Sequence, residues 1–267
     1  MTDLSASYTC ETVAQAREPA AHVAGDAFES IVRDLVGDTF ESLERDPANP
    51  GAGMIHFSDG LTLPLAEIER VVPCFVPGTA IATPKGEVMV EDLRAGDRVI
   101  TRDNGIQQIV WTGTKRVSNN QITTFPELRA IAIKAGAMGN GMPERDLLVS
   151  PTHRMLIVSD LAKKHFGETE VLVAAKHMLA MDGVEVSIAP YLTYIHFMCE
   201  RHEIVLSNGA WSESFQPNDF SLKGLDTDRR KELVALFPEF ERRAGIASYK
   251  PARIDLNPAQ AAQLVSA

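Results

Sequence analysis

Apolar residues change their spacing twice along this chain. Over residues 26–45, Phe28, Ile31, Val32, Leu35, Val36 and Phe40 fall on one side of a 3.6-residue period, which predicts a helix. Asp46-Pro47-Ala48-Asn49-Pro50-Gly51 ends it. Met54-Ile55-His56-Phe57 and Leu61-Thr62-Leu63 then flank Ser58-Asp59-Gly60, the pattern of a hairpin with an Asp-Gly turn. Leu65 to Val71 reads as a short turn or strand. Residues 1 to about 20, rich in Ala, Glu, Ser and Thr, have no apolar period and read as loose.

Beyond Cys74 the chain turns strongly β. Thr79–Thr83, Glu87–Val90, Leu93–Ile100 and Ile106–Gly113 are short β-branched runs separated by Pro84-Lys85-Gly86 and Asp103-Asn104-Gly105 turns. Leu128–Ile133, Leu147–Val149, His153–Val158, Val171–Val173, Tyr191–Met198, Glu203–Leu206 and Ala210–Phe215 continue the habit. Residues 134–146, with three glycines and a proline, read as a loop, and Ala174–Leu179 as a short helical or turn segment. Short strands at this spacing predict an all-β domain. After Phe215 a helical period returns over Asp228–Phe237, Pro238 interrupts it, and the tail from Pro251 is polar and short. The expected organisation is a small N-terminal α/β region (1–73), a β domain (74–215) and a helical C-terminal appendage (216–267). The appendage packs on the β domain or meets a partner.

With 267 residues, 45% hydrophobic and 23% charged, the chain is ordinary globular material with enough length for a real core. Its 36 acidic against 26 basic residues leave a net charge of -10, which argues against non-specific nucleic-acid binding. No segment approaches the roughly 20 apolar residues of a membrane span. Met1-Thr2-Asp3-Leu4-Ser5 lacks the basic and apolar regions of a cleaved secretion signal. A cytoplasmic location and export without such a signal both fit.

Three cysteines, Cys10, Cys74 and Cys199, are too few and too far apart for a disulfide scaffold, and no CxxC pair suggests structural zinc. Cys74 stands apart because Pro73 and Pro77 flank it and a Gly78-Thr79 turn follows. A thiol beside its own upstream carbonyl can attack it, turning the Pro73-Cys74 amide into a thioester. That chemistry needs a deprotonated thiol, a polarised amide, an acid for the leaving amine and donors for the oxyanion. Ser150-Pro151-Thr152-His153 supplies a hydroxyl and an imidazole at a strand entry, suited to hold the amide or to protonate its nitrogen. His196 and His202, near the end of the β stretch, are both candidates to complete the proton transfers. His56, His165 and His177 have no evident partner.

These residues carry a family resemblance. Cys74-Phe75-Val76-Pro77-Gly78-Thr79 resembles the opening of the Hint superfamily, shared by hedgehog autoprocessing domains and inteins, and is most similar to its bacterial branch. The run Ile81 to Val99, with its Ala95-Gly96-Asp97 turn, resembles the strands that follow. Ser150-Pro151-Thr152-His153 resembles the family's Thr-x-x-His element, with Ser150 in the threonine position. His196 falls near a position often taken by Asp, Cys or His. His202 and Ser207-Asn208-Gly209 resemble the segment before the usual terminus. The resemblance implies a Hint-type, horseshoe-like β fold, with Cys74, Ser150, His153, His196 and His202 as catalytic candidates. It also implies the chain's own N-terminal segment as substrate; no cofactor is expected, and the spacing of His153, His196, His202 and a cysteine matches no compact zinc signature.

Splicing inteins end in His-Asn, and the matching positions hold Glu213 and Ser214. The resemblance therefore implies thioester formation without full splicing. The thioester would be resolved by water, a thiol or another nucleophilic acceptor, in a single turnover. A catalytically inactive Hint scaffold, acting as a binding or structural module for a protein partner, is the alternative. The lead-in Ile55–Gly60 with Ile68–Val71 also resembles what precedes such domains in bacterial secreted or surface proteins.

Overall fold

The computed structural model describes residues 40–46, 49–57, 62–64, 72–117, 126–218 and 227–265, with residues 119, 122, 221 and 222 beside them. The chain forms two compact units, one of residues 1–69 with 119–127, the other of residues 70–118 with 128–267.

In the first unit, strands β1 (Phe40–Asp46), β2 (Asn49–Phe57) and β3 (Thr62–Pro64) form an antiparallel sheet in the order β1-β2-β3. The hairpin predicted at Met54–Leu63 is there, with Ile55 opposite Leu63 and His56 opposite Thr62. The predicted helix is corrected at its end. Residues 26–39 lie outside the described residues, and Phe40–Asp46 is a strand. Over this stretch only Phe40 and Leu43 keep the helical spacing. Pro47 follows at once, where a helix would lose a backbone bond, and the chain reverses so that Leu43 faces Ile55 and Glu44 faces Met54. The described part of this region is therefore β rather than α/β.

The second unit begins with β4 (Ala80–Thr83), β5 (Gly86–Met89), β6 (Arg98–Thr101), β7 (Gly105–Val117), β8 (Ile131–Ile133) and β9 (Leu147–Val149). It continues with β10 (Arg154–Val158), helix α1 (Asp160–Phe166), β11 (Glu170–Ala174), β12 (Val184–Val186), β13 (Leu192–Cys199), β14 (Ile204–Ser207) and β15 (Ala210–Glu213). Helices α2 (Thr227–Leu236) and α3 (Arg243–Ser248), strand β16 (Ile254–Asp255) and helix α4 (Pro258–Val265) complete it. The main sheet runs β13-β7-β6-β14-β15-β10-β11-β16, with the β4–β5 hairpin joined to β14, and β12-β8-β9 form a smaller sheet. Together they make a curled half-barrel. β7, one of the predicted runs, alternates as a half-buried strand does, with Ile109, Trp111, Gly113 and Val117 buried between more exposed neighbours.

Two features keep this unit from being strictly all-β. Helix α1 interrupts the β stretch: Ser159 Oγ accepts the Leu161 N–H at its start, and Gly167 ends it in the left-handed conformation (φ 82°). The C-terminal segment is also more than a polar tail. β16 adds in parallel to β11, with Val171 opposite Ile254, and Leu256 and Ala261 enter the main core. A two-residue strand and a few apolar side chains leave too little pattern to be read from sequence.

Candidate active site

Cys74 lies on a short extended segment threaded between the two sheets. Phe75 N–H donates to Ile195 O at 2.7 Å and Ile195 N–H returns to Phe75 O at 2.9 Å, while Val76 N–H donates to Leu148 O at 3.2 Å. Phe75 thus pairs with both β9, at Val149, and β13, at Ile195. Proline has no N–H to donate, so Pro73 and Pro77 confine this pairing to the residues between them. Val72, Pro73, Cys74 and Phe75 are all buried, so the Pro73-Cys74 peptide bond is shielded on both sides.

The Cys74 thiol meets His196, with Sγ 3.2 Å from Nδ1. This buried cysteine–histidine pair is the centre of the site. His196 projects from β13 directly opposite Gly113 of β7, and its ring lies where a side chain at that position would be. A Cβ on Gly113 would fall 2.2 Å from His196 Nε2. Trp111 stacks on the imidazole at 5.0 Å between ring centres and Phe215 approaches it at 5.2 Å. Burial pushes the Cys74 thiol well above its ordinary range, Lys115 draws it down and Glu213 adds to the rise. At rest the thiol is protonated.

Ser150 grips the backbone on either side of Pro73. Its Oγ accepts the Cys74 N–H at 2.9 Å and donates to Val72 O at 2.9 Å. Its own N–H donates to Cys74 O at 2.9 Å. His153 is buried behind Phe75, with ring centres 4.4 Å apart. Neither of its ring nitrogens has a hydrogen-bond partner among the described residues. Burial pushes His153 down to about 4, Glu213 opposes that and Arg154 reinforces it, so the ring is neutral near pH 7.

His202 belongs to a different group. Ala252 N–H donates to its Nδ1 at 2.9 Å, so that nitrogen carries no proton, and Nε2–H donates to Glu213 Oε2 at 3.0 Å. Glu213 Oε1 accepts both the backbone N–H and the Nε–H of Arg154 at 2.8 Å. Arg154 reaches onward to Gln216 Oε1 and Asp255 Oδ2, both at 3.0 Å. Burial raises the Glu213 carboxyl, yet Arg154 and His202 outweigh it and bring the group down to about 2.

Of the sequence candidates, Cys74, Ser150 and His196 are joined by direct hydrogen bonds, and His153 stands one ring away. His202 uses both nitrogens elsewhere and makes no hydrogen bond to Cys74. Sequence reasoning passed over Gly113, Trp111 and Phe215, which shape the pocket for His196, and Arg154, which holds Glu213. Alternation along Trp111-Thr112-Gly113-Thr114-Lys115 was the available signal, since it puts a tryptophan, a glycine and a lysine on one face. Among the described residues, no group of three or more His, Cys, Asp or Glu side chains is arranged to hold a metal ion. No helix of the described residues is long and apolar enough to cross a membrane.

A family model described as Hint domain matches residues 73–219. Among solved structures, the bacterial intein-like domain from Clostridium thermocellum matches at 15% identity and a TM-score of 0.33, covering 53% of this chain and 97% of that one. The gp41-1 intein matches at 11% identity and a TM-score of 0.33, covering 53% and 98%. The Ssp DnaB mini-intein variant M86 matches at 8% identity and a TM-score of 0.35, covering 56% and 99%. No curated protein sequence matches.

Proposed function

The chain belongs to the Hint domain family, and on that premise we propose that it processes itself at the Pro73-Cys74 bond. The carrying observation is the Cys74 Sγ to His196 Nδ1 distance of 3.2 Å beside a scissile nitrogen held by Ser150 at 2.9 Å. His196 takes the thiol proton as Sγ attacks the Pro73 carbonyl carbon. The tetrahedral intermediate collapses by breaking the C–N bond, and the proton ends on the Cys74 amine. The product is a thioester between Pro73 and Cys74 Sγ. Water, a thiol or another nucleophile then releases residues 1–73 or carries them to an acceptor.

Ser150 holds the departing nitrogen through its N–H and keeps the Val72–Cys74 backbone in place. His153 is a neutral imidazole with donor capacity to spare, suited to the leaving amine or to the scissile amide. His202 acts at a remove, as part of the Glu213–Arg154 group. Glu213 and Ser214 replace the His-Asn of splicing inteins, and Glu213 is committed to Arg154. Asparagine cyclisation is therefore absent from this reading. The same commitment favours a second reading, a Hint scaffold that binds without cutting.

Intact-protein mass spectrometry on full-length chain, with and without dithiothreitol, separates the two. A fragment beginning at Cys74 is expected from the parent and not from Cys74→Ala. His153→Ala should slow its formation by roughly 10²–10⁴-fold, the usual contribution of an acid–base group. A single intact mass under every condition rejects self-processing in favour of the binding scaffold.

A further inference from the structure

Lys115 lies on the face of the β7–β13 pair that the reacting groups occupy. In β13, Tyr194 and His196 share that face, and across the ladder they stand opposite Lys115 and Gly113. Phe75 pairs with Ile195, so Cys74 lies beside the same stretch of β13, with its thiol on His196. Among the described residues, Lys115 enters neither a salt bridge nor a hydrogen bond, although Gly113 and Val117, two positions away on the same face, are buried. A half-buried ammonium without a carboxylate partner thus shares a face with the imidazole that holds the buried thiol, where a thiolate forms when Cys74 gives its proton to His196.

We propose that Lys115 is the cation that stabilises developing negative charge at Cys74, a charge-stabilising role distinct from the proton transfer assigned to His196. It rests on the Cys74 chemistry proposed above. The other groups facing the thiol cannot do this work. Tyr194 spends its hydroxyl on Leu128 O at 2.6 Å, His153 is neutral, and Glu213 carries the wrong charge. The direction in which Lys115 moves the thiol agrees, since it is the first charged group that draws Cys74 down against burial.

The test follows Cys74 ionisation directly, so that it does not depend on cleavage. Full-length protein is treated with methyl methanethiosulfonate across pH 6–11, and modification at Cys74 and Cys199 is followed by peptide mass spectrometry. Lys115→Met should move the Cys74 profile up by roughly half to one pH unit, Lys115→Glu further, and Lys115→Arg little. Cys199 should not move in any variant. Arg116→Met, one residue on and so on the opposite face, is the control and should leave Cys74 unchanged. Circular dichroism confirms folding of each variant. Profiles for Lys115→Met and Lys115→Glu that overlay the parent overturn the proposal, as does an equal shift with Arg116→Met. Fragment formation is read in parallel: its absence from the parent sinks self-processing and leaves the Lys115 result standing.

Discussion

At Gly113 an added Cβ would lie 2.2 Å from His196 Nε2 and 2.6 Å from the Trp111 ring. Neither ring can move aside cheaply, because each packs on the other and on Phe215. Gly113→Ala should displace the imidazole from Cys74, slow fragment formation at least tenfold, and cost roughly 1–3 kcal/mol in stability as overpacking does. Fragment kinetics and a urea melt check both parts, and a variant that cuts and melts like the parent sinks this account of the pocket. Cys74, Ser150 and His153 were legible as residues because their chemistry is rare and their spacing local. Gly113 was not, since nothing in Thr112-Gly113-Thr114 says which side chain will lie across it. His202 was a candidate partner of Cys74 for its residue type, its place near the end of the β stretch and its likeness to the family's closing segment. In the structure its two ring nitrogens bond the Ala252 N–H and the Glu213 carboxylate instead of the thiol.

Among elements, Glu213 ties β15 to β10 through Arg154, and Arg154 ties both to β16 through Asp255. The family match ends at residue 219, while Ala252, Asp255 and Leu256 lie beyond it. The C-terminal segment therefore completes hydrogen bonding around the module. Replacing Glu213 with Gln leaves the buried Arg154 guanidinium with only the half-exposed Asp255 carboxylate, which should cost about 3 kcal/mol. Urea unfolding reads this as a lower midpoint, and an unchanged midpoint would refute the structural role of the pair. Helix α1 was legible and was missed: Ser159 and Gly167 are standard start and stop residues around a seven-residue run. Strand β16 was not legible, because two residues carry no period.

For the molecule as a whole, the buried charges set a pH dependence. His153 titrates at about 4 in the folded chain against an ordinary 6.5, so below about 6.5 the unfolded chain binds a proton the folded one refuses, and stability falls. Glu213 titrates at about 2 against 4.5, so its contribution is complete above 4.5 and is lost as pH falls toward 2. Melting temperature should therefore decline continuously from about pH 6.5 downward. His153→Gln should flatten the part between 6.5 and 4 and leave the acid limb. A parent whose melting temperature is level from pH 7 to 4 contradicts the buried neutral His153.

The sequence by itself determined the β character of most of residues 74–215, the helix near 228–237, the cysteine at the centre of the site and the Ser150–His153 element. Each rests on local period or on residues a few positions apart. Which histidine meets the thiol was decided only in three dimensions. Cys74 and His196 are 122 residues apart, and what joins them is strand register. The Phe75–Ile195 and Gly113–His196 pairings bring the two side chains to one place. Register depends on the whole ladder of backbone bonds, and a slip of one residue would turn His196 to the opposite face. The same ladder put Lys115 on the face of His196, while the β14–β15 ladder, with Ile204 opposite Glu213, brought Glu213 to His202.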